Sequence, residues 1–157
     1  MKRFFSRELA NLGYQVVADP MFTGSWSDEE QTRFFGLVQA TPELHDSPSR
    51  TALFLDPDTG VQERQSRKHV SYARVVTETD RHRLVYSFDQ SFSRQEAPGA
   101  IIQKKLEALR ARGCSAMFYD SHARFLFASR AREAITELRG HLVSVGLPAS
   151  RLVEAVT

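Results

Sequence analysis

The chain has 157 residues and a mass of 17.8 kDa, the usual size of one domain, so we expect a single domain over residues 1–157. Hydrophobic residues make up 41% and charged residues 25%, a globular composition that excludes disordered and fibrous classes. No apolar run approaches the roughly 18 residues of a membrane-spanning helix, and one cysteine, Cys114, excludes an intramolecular disulfide and a multi-cysteine metal site. We therefore expect a soluble, cytoplasmic protein with no membrane partner.

The positive charge of the chain is carried mainly by arginine. The net charge is +2, with 17 Arg and 4 Lys. A guanidinium binds phosphate and carboxylate through two parallel hydrogen bonds, but so small a net charge gives no large basic field. Arginine-rich usage is also typical of a GC-rich genome, so the charge supports a nucleic-acid partner only weakly.

Helix and strand patterns alternate in the first half of the chain. The apolar run 51–55 is typical of a strand buried on both faces, and Ser27 with Glu30 predicts a capping box. The predicted elements are a helix over 2–12, a strand over 14–18, a helix between Ser27 and Thr41, and a strand over 51–55.

The segment 67–79 fits two interpretations. Its β-branched residues favour a strand, whereas Val70, Ala73 and Val76 repeat at helical spacing behind Ser66, a candidate helix cap. We favour the helix and keep the strand as the alternative.

The second half continues the alternation and ends in a hairpin. Residues 120–123 are short enough to join two antiparallel strands directly. The predicted elements are a strand over 83–88, a helix over 98–112, strands over 115–119 and 124–128, a helix from Ser129 to Gly146, and an amphipathic tail over 152–156 that packs behind this helix.

This alternation predicts an α/β fold, a three-layer Rossmann-like arrangement with a mainly parallel sheet and a terminal hairpin. If residues 61–79 were strands, an antiparallel α+β sheet with helices on one face would result instead.

Polar residues follow every predicted strand. In a parallel sheet the carboxyl ends of the strands converge, and ligands bind there. Besides Asp19, these residues are Asp56, Asp58, Asp89, Gln90, Ser91, Ser93, Arg94, Asp120, Ser121 and His122, with His69 expected on the same rim. Asp, Ser and Pro are also ordinary turn residues, so the same pattern arises without any function.

Gathered carboxylates require a cation, and Mg²⁺ or Mn²⁺ is the natural partner of oxygen ligands. We predict that Asp56, Asp58, Asp89 and Asp120 hold the metal, with His69 or His122 as general base. Arg94 would bind a phosphate, and the substrate-binding residues would be Gln90, Ser91, Ser93, Arg94 and Ser121. The chemistry would be metal-assisted cleavage of a phosphate-bearing substrate, a nucleic acid or nucleotide.

The order of elements over residues 51–128, with Asp56-Pro57-Asp58 after an apolar strand, resembles the second half of class I methyltransferases. In that family an Asp-Pro-Pro-like motif follows the fourth strand and a hairpin ends the sheet. The resemblance implies a Rossmann-like fold. The family holds S-adenosylmethionine at a glycine-rich loop after the first strand, where this chain has Asp19-Pro20, so we do not expect that cofactor to bind.

Three segments also resemble a family of uncharacterised bacterial and phage proteins: Leu53-Phe54-Leu55-Asp56-Pro57-Asp58-Thr59-Gly60, Asp89-Gln90-Ser91-Phe92-Ser93-Arg94 and Tyr119-Asp120-Ser121-His122. The resemblance implies a bacterial or phage origin and one site built from all three segments.

The alternative to an enzyme is a non-catalytic Rossmann-like module that binds a protein or a nucleic acid, or a methyltransferase-like remnant. Phe22 and Trp26 lie in a Gly/Ser loop, where aromatic side chains form a partner surface or a platform for stacking bases, although loop aromatics also pack on their own domain. The pattern does not indicate an oligomeric state.

Overall fold

The structure, a computed structural model, describes residues 1–21, 24–42 and 50–155. Phe22 and the end of the predicted tail lie outside these ranges. Within them the helices are α1 (Lys2–Asn11), α2 (Asp28–Val38), α3 (Tyr72–Thr79), α4 (Pro98–Arg110) and α5 (Arg132–Ser144). The strands are β1 (Gln15–Asp19), β2 (Thr51–Leu55), β3 (Gly60–Gln62), β4 (His69–Ser71), β5 (Leu84–Phe88), β6 (Ser115–Tyr119), β7 (Phe125–Ser129) and β8 (Leu152–Glu154).

Six strands form one mixed sheet in the order β1-β2-β5-β7-β6-β8. The pairs β1–β2 and β2–β5 are parallel, whereas β7 is antiparallel to both β5 and β6, and β8 is antiparallel to β6. The α/β class and the terminal hairpin are therefore confirmed, and the wholly antiparallel alternative is wrong. Within this six-stranded sheet, parallel pairing is limited to β1, β2 and β5, so the predicted mainly parallel sheet is correct only in that part.

Helices cover both faces of the sheet. On what we call the front face, Phe54 and Tyr86 of the sheet pack with Phe5 and Leu9 of α1 and Leu138 of α5. On the back face, Leu55 and Val85 pack with Val75 of α3 and with Ile102 and Leu106 of α4. Because successive strand residues point to opposite faces, the uninterrupted apolar run in β2 supplies both cores at once.

Residues 67–79 contain both a strand and a helix. Residues 69–71 form β4, which pairs in parallel with β3 in a separate two-stranded sheet, and α3 follows directly. Ser71 caps α3 by accepting a hydrogen bond from the Arg74 amide. Ser66, the cap expected from the sequence, instead accepts bonds from the Lys68 and His69 amides within the loop. The prediction of a single helix over this segment is therefore wrong in its first five residues.

The predicted tail is also different. Residues 152–154 form β8 at the edge of the sheet beside β6, rather than packing behind α5. In the described ranges, no helix is both long enough and apolar enough to cross a membrane.

Candidate functional site

The strands β1, β2 and β5 end together at the carboxyl edge of the sheet, where Asp19 lies beside Leu55 and Leu55 beside Ser87. A pocket of about 280 Å³ opens at this edge on the front face. It is lined by Lys2, Pro20, Met21, Trp26, Phe34, Asp56, Pro57, Asp58 and Phe88. We call it the Asp56 pocket.

Asp56 is the most constrained polar group in this pocket. Its side chain is only 9% exposed, and its Oδ2 accepts a hydrogen bond from the Lys2 ammonium at 2.6 Å. The other oxygen, Oδ1, is buried and has no hydrogen-bond partner among the described residues. Burial raises the pKa of the carboxyl group above its ordinary value, with a smaller contribution from Asp58, and the Lys2 charge opposes the rise. An unsatisfied buried acceptor of this kind costs about 1–3 kcal/mol unless a donor reaches it.

Aromatic side chains supply the apolar walls of the pocket. Trp26 is 43% exposed and meets Phe34 edge to face, with ring centroids 6.5 Å apart. The start of α2 is fixed beside Trp26, because Ser27 and Glu30 form the predicted capping box and Gln31 donates to the Trp26 carbonyl. The third ring, Phe88, is the last residue of β5 and lies under the Lys2 ammonium at 5.2 Å.

The three segments that the sequence predicts to form one site are in contact. The Gln90 amide donates to the Thr59 carbonyl at 2.8 Å, and the Gln90 side chain donates to the His122 carbonyl. Gly60 lies against Asp89, and its φ of +137° is one that other residues rarely adopt. These contacts are largely backbone contacts, so they join the segments without bringing their carboxylates together.

Asp89 lies on the back face in a closed polar cluster. Its carboxylate is fully buried and accepts from the Lys105 ammonium at 2.6 Å and from the Ser91 hydroxyl at 2.6 Å. Lys105 also donates to the Val61 carbonyl at 2.7 Å and to Ser91 Oγ at 2.8 Å, which uses all three of its protons. Burial lowers the pKa of Lys105, and Asp89 partly offsets the effect. The cluster ties the loop after β5 to β3 and α4.

The remaining predicted residues have partners of their own or are exposed. Asp120 pairs with Arg124 at 2.9 Å, and the His69 ring is hydrogen-bonded to the Thr59 hydroxyl. Ser121 closes the β6–β7 turn through Ala123, and Ser93 accepts from the Gln95 amide. Arg94 and the His122 side chain are exposed on their loops.

The four predicted metal ligands are therefore divided between the two faces. Asp56 and Asp58 line the front pocket, whereas Asp89 and Asp120 pair with cations elsewhere. Across residues 1–21, 24–42 and 50–155, no group of three or more His, Cys, Asp or Glu side chains is placed to hold a metal ion.

Several residues of these two sites are missing from the sequence-based prediction, among them Lys2, Phe88 and Lys105. Lys2 and Phe88 line the pocket, and Lys105 neutralises Asp89. Lys105 had a detectable signal, because it lies between Ile102 and Leu109 on the apolar stripe of a predicted helix. A lysine on a buried stripe requires an acidic partner. Lys2 gives no comparable signal, since its contact with Asp56 spans 54 residues.

Comparisons with protein-family models, with curated proteins and with solved structures found no match to this chain.

Proposed function

We propose that this chain is a nucleic-acid-binding module whose Asp56 pocket takes one unpaired base that carries an amino group. The observation that supports this most strongly is the unpartnered Oδ1 of Asp56 in a pocket walled by aromatic rings. The shape of the pocket, its apolar walls and its charge each agree with such a ligand.

The walls suit a flat, apolar face. Trp26, Phe34 and Phe88 line the pocket, and Pro20 and Pro57 add flat, rigid surface. Stacking of a base on an aromatic side chain contributes about 1–3 kcal/mol and tolerates any base. A volume of about 280 Å³ lies at the small end of ligand sites, which fits one ring system rather than a whole dinucleotide.

The charge of the pocket selects a hydrogen-bond donor. Asp56 and Asp58 line the pocket, and the Asp56 carboxylate is an acceptor, so it attracts an amino group and offers a phosphate oxygen no hydrogen bond. Cytosine and adenine carry an exocyclic amino donor, and an Asp carboxylate accepts well from the cytosine amino group. Uracil and thymine present a carbonyl at the same position and leave the carboxylate unpaired.

Asp56 can serve such a donor without losing Lys2. The carboxyl torsion of aspartate is broad, so a partial rotation turns Oδ1 towards a donor in the pocket while Oδ2 keeps its contact with Lys2. One oxygen then accepts from the base and the other from the Lys2 ammonium. This arrangement satisfies the acceptor that is unpaired in the free protein.

The experiment is a titration with cytidine and with uridine, followed by tryptophan fluorescence. Trp26 is the single tryptophan of the chain and lines the pocket, so the signal reports on this site. Cytidine is expected to change the fluorescence saturably and to bind about fivefold more tightly than uridine, since one such hydrogen bond discriminates by about 1 kcal/mol.

Two carboxylate variants make the test specific. Asp56→Asn is expected to abolish the preference for cytidine, because an amide also donates to the uracil carbonyl. Asp120→Asn, at the same edge but paired with Arg124, is expected to bind both nucleosides like the wild type. A fluorescence that does not respond to either nucleoside, or equal affinities in the wild type, would refute the proposal.

Metal-assisted cleavage of a phosphate-bearing substrate, with Mg²⁺ or Mn²⁺ at the four carboxylates, stays a prediction from the sequence. This prediction is tested separately from base binding, because a metal site requires the melting temperature to shift with millimolar Mg²⁺ or Mn²⁺. The resemblances to methyltransferases and to the bacterial and phage proteins likewise stay predictions.

A further inference from the structure

A strongly basic loop joins β3 to β4 beside the Asp56 pocket. Residues 63–68 read Glu-Arg-Gln-Ser-Arg-Lys, and all six are exposed. The one acid, Glu63, accepts an ion pair from Arg112 at 2.7 Å, so its charge is matched from outside the loop. Arg64 and Lys68 therefore place positive charge on the exposed surface of the loop.

The loop is held in one shape by uncharged groups. Ser66 Oγ accepts from the Lys68 amide at 3.1 Å and from the His69 amide at 3.0 Å. The Gln65 side chain accepts from the Ser71 amide at 2.9 Å and donates to the His69 carbonyl at 2.8 Å. Ser66 and Gln65 therefore hold the backbone of the loop without using any charged group.

The loop is attached directly to the rim of the pocket. Thr59 follows Asp58, which lines the pocket. The Thr59 amide and hydroxyl both donate to the Lys68 carbonyl, at 3.1 and 2.9 Å, and the hydroxyl also contacts the His69 ring. The backbone of the loop at Lys68 is therefore fixed to Thr59, the residue that follows Asp58 of the pocket.

We infer that this loop binds the backbone phosphates of a single strand of nucleic acid whose base occupies the Asp56 pocket. The inference rests on the proposed function and extends it from one base to a strand. Asp56 accepts from an amino group, whereas Arg64 and Lys68 attract phosphate, so a nucleotide chain that crosses the rim meets complementary groups at both points. Flexible single strands fit this geometry because their bases are free to leave the stack.

The experiment measures the affinity of a short oligocytidine strand at several salt concentrations, with DNA and RNA strands as separate arms. Each phosphate contact to a single strand contributes about 0.7 to the slope of log affinity against log salt. The double variant Arg64→Ala/Lys68→Ala is expected to lower the slope by about 1.4. Arg83→Ala/Arg132→Ala removes two exposed arginines at the opposite edge of the sheet and is expected to leave the slope unchanged.

A third variant separates shape from charge. Ser66→Ala removes the hydroxyl that accepts from the two loop amides but leaves every charge in place. We expect it to weaken strand binding at all salt concentrations with an unchanged slope. If Ser66→Ala also binds like the wild type, the fixed loop shape does not contribute and that part of the inference is wrong.

The outcomes for the pocket and for the loop are distinguishable. If cytidine binds but the loop variant retains the wild-type slope, the loop inference fails while the pocket proposal stands. If the strand binds with a loop-dependent slope but free cytidine does not bind, the base pocket fails and the loop remains a phosphate site. If only the Arg83/Arg132 variant lowers the slope, the phosphates bind at the opposite edge of the sheet and the loop inference is wrong. If neither cytidine nor the strand binds, both proposals are wrong.

Discussion

Gly60 lies directly against Asp89, so closely that a Cβ added to Gly60 would come within 2.8 Å of the Asp89 Cα. The contact joins the loop after β2 to the loop after β5. It also places the Val61 carbonyl where Lys105 donates to it at 2.7 Å and the Ser91 hydroxyl lies 3.1 Å away. One glycine thus permits the close approach on which the buried Asp89 cluster depends.

Gly60→Ala is expected to destabilise the protein by at least about 1–3 kcal/mol, because it adds both a positive-φ strain and a clash with backbone atoms. The measurement is the free energy of unfolding in urea. Gly140→Ala is the matched control, since Gly140 lies inside α5 with open space around it and the change should stabilise the helix by about 0.5–1 kcal/mol. Equal effects of the two substitutions would contradict the close packing described for Gly60.

Lys105→Met tests whether the Asp89 cluster is a structural ion pair. The substitution leaves a fully buried carboxylate without its cation, which costs about 3–5 kcal/mol. The double variant Lys105→Met/Asp89→Asn should recover part of that loss, because it removes the uncompensated charge. Lys104→Met, next in sequence but exposed and paired with the exposed Glu96, should change stability by less than about 1 kcal/mol. Urea unfolding of all three variants decides the matter, and a tolerated Lys105→Met would refute the role given to Lys105.

Asp56 is expected to stabilise ligand binding at the expense of folding. Burial raises its pKa in the folded state, so the folded protein disfavours the carboxylate and loses stability as pH rises through that raised value. Asp56→Asn should therefore increase the free energy of unfolding by about 1 kcal/mol at neutral pH. The gain should vanish below the ordinary value of 3.8, where the unfolded chain is protonated as well. A variant less stable than the wild type at neutral pH would show that the Lys2 pair outweighs the burial cost.

His82 gives the opposite pH dependence. It is 7% exposed, contacts the Thr51 hydroxyl through Nδ1 at 3.0 Å, and burial lowers its pKa despite the opposing charge of Glu78. The unfolded chain binds the proton more tightly than the folded protein. The free energy of unfolding is therefore highest above the ordinary pKa of 6.5 and falls as the pH decreases from there towards the lowered pKa of the folded state. His82→Asn should flatten this part of the stability profile, measured by urea unfolding on both sides of that pH. An unchanged profile would show that other groups cause the loss of stability at low pH.

Much of the fold follows from local sequence patterns. The Ser27–Glu30 capping box, the doubly buried strand 51–55 and the hairpin at 120–123 depend on neighbouring residues alone, and the structure confirms each. The start of the helix in segment 67–79 is ambiguous in the sequence, because Ser66 and Ser71 can both cap a helix. The choice between them is made by pairing of β4 with β3, a contact the local pattern does not contain.

The sequence pattern places the candidate residues at one edge of the sheet but does not assign them to its two faces. Strand residues alternate, so Asp56, two residues after the front-facing Phe54, continues on the front. Asp89 directly follows the front-facing Phe88, so it turns to the back, where Lys105 meets it. This alternation is visible in the sequence and places the two carboxylates on opposite faces. The pairing of Asp56 with Lys2 depends on the three-dimensional fold and is not visible in the sequence.

The most direct test of the central claim is a nuclear magnetic resonance titration of the ¹⁵N-labelled protein with cytidine. The single tryptophan gives one indole signal, and that signal should shift saturably together with the backbone amides of Asp56, Asp58 and Phe88. Amides at the opposite edge, such as those of Arg83 and Arg130, should not move. Saturable shifts confined to that opposite edge, or no shift at Trp26 and Asp56, would contradict the assignment of the Asp56 pocket as a base-binding site.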